Sequence, residues 1–144
     1  VMGGIDLDPA SCEVANETVE ASNIYTAETD GLNNPWFGRV WLNPPYSQPE
    51  MTNFAERLSL AVESNEIEQA IVLTNNATET GWFGTISKNA TGYCFPRKRI
   101  RFNTPATNDT ATGLQGQCFT YFGNNVAAFA EEFSRYGKIL LPYE

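Results

Sequence analysis

The segment that most constrains this chain is Arg39-Val40-Trp41-Leu42-Asn43-Pro44-Pro45-Tyr46. The apolar run through Leu42 reads as a strand. Two successive prolines end it, because proline has no N–H to give a sheet and its ring fixes φ. Ser47-Gln48-Pro49-Glu50 then fits a capping box, and Met51, Phe54, Ala55, Leu58, Ala61 and Val62 recur at helical spacing. A strand that turns at once into an amphipathic helix is a unit of an α/β sheet, and such sheets bind ligands beyond the carboxyl ends of their strands.

The remaining chain repeats the pattern. Residues 4–8 read as a short strand, followed by a helix with Asp8 as N-cap and Pro9 in the first turn, running towards Glu20. Residues 23–32 are polar and turn-rich around Asp30-Gly31. The next elements are a buried strand at 69–74, a helix at 80–88 and a strand at 93–95. Two strands, 99–102 and 117–122, flank a polar loop at 103–116, and a helix at 125–136 and a strand at 138–141 close the chain. This predicts a single α/β domain over residues 1–144, its sheet mostly parallel with an antiparallel C-terminal hairpin.

Composition removes whole classes of chemistry. There is no histidine, which excludes Ser/His/Asp and Cys/His nucleophiles, an imidazole base and imidazole-dependent metal sites, so no metal is expected. Three cysteines without CxxC spacing suggest neither a disulfide framework nor a thiolate cluster, and point to a reducing compartment. No apolar run is long enough to span a bilayer, so no membrane partner is expected. The sequons at Asn16, Asn76, Asn89 and Asn108 read as chance.

Asn43, Pro44, Pro45 and Tyr46 carry the chemistry that remains. The prolines hold their carbonyls at a fixed angle with no N–H to compete for them. The Asn43 side-chain oxygen and the Pro44 carbonyl can each accept an N–H from an exocyclic amine while Tyr46 stacks on the ring that bears it. The bland alternative is a rigid turn with a surface tyrosine.

Asn-Pro-Pro-Tyr matches the catalytic motif of amino-methyltransferases. Together with Ile5-Asp6-Leu7-Asp8-Pro9-Ala10-Ser11, Tyr25-Thr26, Asp30-Gly31-Leu32, Trp36, the strand before Asn43 and Arg99-Ile100-Arg101-Phe102, it resembles the phage-type DNA N-6-adenine methyltransferases from about Ile5 to Phe122. The resemblance implies a Rossmann-like sheet, S-adenosylmethionine (SAM) as cofactor, and methyl transfer to the N6 amine of a flipped adenine in DNA. It assigns catalysis to Asn43, Pro44, Pro45 and Tyr46, and a cofactor pocket to Asp6, Asp8, Pro9, Ala10 and Asp30. Asp8 as a plain helix cap, Asp30 as a turn former and Trp36 as a core residue remain open. Family members begin with an aromatic-Thr-Pro segment, so the chain reads as lacking its N-terminal segment. A virus or prophage protein of the host cytoplasm is implied.

The net charge of −8 argues against a nucleic-acid partner, but it is unevenly spread. Seven acids and no base lie between Val1 and Gly38, whereas Arg97, Lys98, Arg99 and Arg101 crowd four of the nine bases into five residues. Such a strip suits DNA phosphates, or else guards an edge strand against aggregation. Three rivals stay open. Cytosine offers the same amine to the same motif. Protein-glutamine methyltransferases also use NPPY, but with a GxGxG loop that is missing here. A non-catalytic truncated nucleic-acid-binding domain is the third.

Overall fold

The computed structural model describes residues 1–104, 109–112 and 116–143, with side chains described for 1–100 and 116–143. Its elements are β1 (Leu7–Asp8), α1 (Glu13–Val19), β2 (Asn23–Ile24), β3 (Arg39–Leu42), α2 (Glu50–Glu63), β4 (Gln69–Asn75), α3 (Gly81–Ser87), β5 (Gly92–Pro96), β6 (Arg101–Thr104), β7 (Asp109–Thr112), β8 (Gln117–Phe122), α4 (Val126–Phe133) and β9 (Gly137–Leu140).

Seven strands form one sheet in the order β2-β1-β3-β4-β8-β5-β9. The β2-β1, β1-β3 and β3-β4 ladders are parallel; β8 runs antiparallel to both β4 and β5, and β9 antiparallel to β5. Strands β1, β3, β4 and β5 therefore point the same way. Their carboxyl ends share one edge with the first residues of β8 and β9.

The expected C-terminal hairpin is corrected by this order. Residues 117–122 do not pair with the strand expected at 99–102; they insert between β4 and β5. That preceding strand, β6, pairs instead with β7 from inside the expected polar loop, in a separate two-stranded sheet. The rest of that loop, residues 105–108 and 113–115, lies outside the described residues.

Alternation along the strands builds a core on each face. Val40, Leu42, Ala70 and Val72 turn towards α2, where Met51, Phe54, Ala55, Leu58 and Ala61 form the apolar stripe expected from their spacing. Trp41, Ile71 and Tyr121 turn to the opposite face, towards α4. There Tyr121 and Phe133 stack on Phe129 with ring centroids 5.1 and 4.6 Å away. Trp36 belongs to the first core, its indole N–H donated to the Gly31 carbonyl at 2.7 Å and the Arg57 guanidinium 4.8 Å above its ring.

Two local expectations fail for identifiable reasons. Helix α1 starts at Glu13, capped by the Cys12 thiol, which accepts from the Ala15 N–H; Asp8 ends a strand and its carboxylate accepts from the Ala10 N–H. The capping box before α2 does not form: Pro49 is the N-cap with no side-chain bond, and the Gln48 side chain accepts from the Thr52 N–H instead. A further strand, β2, falls in the segment expected to be turn.

Leu58 is fully buried between α2 and the sheet. Leu58→Ala is expected to destabilise the fold by about 2–5 kcal/mol, measured by denaturant unfolding.

Candidate active site

The carboxyl edge gathers three amide side chains. Strand β3 exits into Asn43, β4 ends on Asn75, and β8 begins on Gln117, which pairs in register with Asn75. Tyr46 folds back over this edge. Its hydroxyl lies 2.8 Å from Asn43 Oδ1, 3.1 Å from the Leu73 carbonyl and 3.1 Å from Gln117 Oε1. The Gln117 amide in turn donates to Asn75 Oδ1. Burial holds the Tyr46 phenol well above the ordinary tyrosine range, so it stays protonated. Pro44 is buried and Pro45 exposed.

A cavity of about 330 Å³ opens beside this cluster, with Pro9, Ala10 and Asp30 on one side and Pro45, Glu50 and Phe54 on the other. Pro45 thus joins the Asn43–Tyr46 turn to the pocket holding three of the residues expected to bind cofactor. The wall is tight where Asp30-Gly31 meets Pro9: a Cβ on Gly31 would stand 1.9 Å from the Pro9 carbonyl oxygen, so only glycine lets the two loops close. Asp30 keeps both readings open to it. Its carboxylate accepts from the Leu32 N–H and the Asn33 amide, closing its own turn, and it also lines the cavity.

Asp8 is buried at the end of β1, directly before the cavity residues Pro9 and Ala10. Burial raises its pKa from 3.8 to about 6, against the lowering effect of the Ala10 N–H and the Ser11 side chain. Asp6 is placed apart from this group. It precedes β1 at the amino edge, where both carboxylate oxygens engage the Arg39 guanidinium at 2.8 Å and Oδ2 also accepts the Arg39 backbone N–H. Those bonds hold its pKa down at about 2. The geometry makes Asp6 a clamp on the start of β3.

The basic strip divides in the same way. Arg97 donates to the carbonyls of Arg135 and Ser134, just past the last turn of α4, where a cation also favours the helix dipole. Lys98 and Arg99 are exposed and leave β5 at the carboxyl edge; the Arg101 side chain lies outside the described residues. Among the described residues, no group of three or more His, Cys, Asp or Glu side chains could hold a metal ion, and no helix is long and apolar enough to cross a membrane.

Sequence reasoning missed Gln117, Asn75 and the cavity face of Glu50. Gln117 and Tyr46 lie 71 positions apart and meet only through the β4-β8 pairing. The amide residue opening a mostly apolar strand is the one signal in the sequence.

An acid whose pKa is raised by folding stabilises the protein fully below its unfolded pKa, and that stability is lost as pH rises through the folded value. For Asp8 the loss falls between about 4 and about 6. Asp8→Asn is therefore expected to melt a few degrees above the wild type near pH 7.5, with the difference vanishing below about pH 4, as read by thermal unfolding across pH.

Comparison with known proteins identifies the family. The model of the family DNA N-6-adenine-methyltransferase (Dam) matches residues 2–139. The DNA N-6-adenine-methyltransferase of Escherichia phage T1 is similar, 34% identical over 91 residues, which are 61% of this chain and 35% of that protein. The chain thus spans about a third of the length of that relative. With nearly its whole length matched, the chain belongs to the DNA N-6-adenine-methyltransferase family.

Proposed function

We propose that the protein transfers a methyl group from SAM to the N6 amine of adenine in DNA, in the cytoplasm of a cell hosting a virus or prophage. The observation that carries this reading is the junction at Pro45: the acceptor-rich turn Asn43–Tyr46 and a cavity with carboxylates on its walls share one residue at the carboxyl edge.

The cavity suits the cofactor by its chemistry. Asp30 and Glu50 offer carboxylates to an ammonium and to ribose hydroxyls, Pro9, Leu32 and Phe54 offer apolar surface, and about 330 Å³ lies within the range of small-molecule sites. Asp8, ionised above about pH 6, adds negative potential behind Pro9 and Ala10. SAM, when bound, supplies an electrophilic methyl carried by a sulfonium.

The chain's own residues do the rest by orientation. The lone pair of an aromatic amine is delocalised into its ring, so the amine nitrogen must be held before it can attack. Asn43 Oδ1 and the Pro44 carbonyl accept its two N–H groups and turn the lone pair towards the cofactor side; the nitrogen, once methylated, releases one of those two protons to water. Holding reactants in line is worth up to about 7–11 kcal/mol of the barrier. The Tyr46 ring receives the flipped base by stacking, and its hydroxyl, buried and protonated, serves no base role. Lys98 and Arg99 contact phosphates on the same edge, and the β6-β7 ribbon between β5 and β8 reaches the groove to select a recognition sequence.

Nucleoside mass spectrometry of unmethylated genomic DNA incubated with SAM and protein should detect N6-methyladenine. The yield should fall about a hundredfold or more in Asn43→Ala and Tyr46→Ala. N4-methylcytosine in its place would move the target to cytosine, and undiminished product in both variants would contradict the assignment. Asp8→Asn, though more stable, should bind SAM more weakly in calorimetry. Lys98→Ala with Arg99→Ala should weaken DNA binding and reduce the salt slope by up to about two.

A further inference from the structure

Three oxygens face the one hydroxyl hydrogen of Tyr46. They are Asn43 Oδ1 at 2.8 Å, the Leu73 carbonyl at 3.1 Å and Gln117 Oε1 at 3.1 Å. A phenol donates one hydrogen bond at a time. The hydroxyl can therefore turn from one acceptor to another without moving the ring. Gln117 is built for this contact: its side chain is buried, 5% exposed, and its amide donates to Asn75 Oδ1, which aims Oε1 at Tyr46. Among the described residues, Tyr46 is the donor to Gln117 Oε1 and to Asn43 Oδ1 alike.

We infer that Gln117 is a positioning residue for amine recognition, acting through Tyr46 as the alternative acceptor that releases Asn43. This rests on the proposed methyl transfer to a base amine. In the free protein the Tyr46 hydroxyl serves Asn43 Oδ1. When a target amine takes that oxygen, the hydroxyl turns to Gln117 Oε1, so no buried polar atom loses its partner on binding. The Leu73 carbonyl is fixed to the β4 backbone, whereas the Gln117 side chain can follow the ring as it settles against the base.

A double-mutant cycle tests this, with kcat for methylation of unmethylated genomic DNA and the calorimetric Kd for SAM as readouts. Gln117→Met should lower kcat about tenfold and leave the SAM Kd unchanged. In a Tyr46→Phe protein, which keeps the stacking ring but has no hydroxyl, the same substitution should cost nothing further. Equal losses in both backgrounds would make Gln117 merely structural and overturn the inference, as would no loss in either. Thermal melting checks that Gln117→Met folds. If it does not, Asn75→Ala, which frees the Gln117 amide without touching Tyr46, takes its place in the cycle: a loss confined to the Tyr46 background supports the inference, and equal losses or none overturn it. A wild-type protein that methylates no DNA base would overturn the functional reading and this inference with it, whereas active wild type without coupling overturns the inference alone.

Discussion

The insertion of β8 between β4 and β5 is the constraint on which the site depends. Its register sets Gln117 opposite Asn75, and the parallel β3-β4 ladder sets Leu42 opposite Val72, one residue before Asn43 and Leu73. Tyr46 can reach Asn43, Leu73 and Gln117 together only while both ladders hold. A one-residue slip of β8 would turn Gln117 to the other face and bring Cys118 to its place. Packing on both faces opposes that slip: Cys118, Thr120 and Tyr121 are all fully buried, so a slip would exchange side chains of different size between two filled layers.

The same edge concentrates groups that cost stability. Asp8 keeps a buried carboxylate whose pKa is raised, and Gly31 is confined against the Pro9 carbonyl. At the opposite edge the polar residues do the reverse. Asp6 and Arg39 form a bidentate pair with a further backbone bond, and Gly38, at φ +66, lets the carboxylate press against the chain before β3. One end of the sheet is fastened while the other carries groups left in higher-energy surroundings, a division common where stability is traded for a site.

What could be read from the sequence is local. The β3 strand, the α2 stripe and the Asn43–Tyr46 turn follow from short-range pattern, and the structure keeps them. The errors come from distance along the chain or along a strand. Asp6 and Asp8 look equivalent in sequence, but two residues of strand span about 7 Å, enough to put one carboxylate at each end of β1. Pairing of 117–122 with β4 rather than with its sequence neighbour leaves no periodic trace, and neither does the two-residue strand β2. Arg97 reads as part of a basic strip because charge is visible in sequence, whereas the Ser134 and Arg135 carbonyls that it binds just past α4 are not.

In the proposed function a site without histidine, whose phenol is buried and protonated, works by fixed acceptors and orientation rather than by a side chain that takes a proton in the rate-determining step. The most direct measurement is the single-turnover methylation rate against pH at saturating SAM and DNA. Fixed acceptors predict a flat profile from about pH 6.5 to about pH 9, because saturation removes the effect that the proposed role of Asp8 gives its ionisation on cofactor affinity. A rate that climbs about tenfold per pH unit through neutrality would reveal an ionising catalytic base and contradict this mechanism.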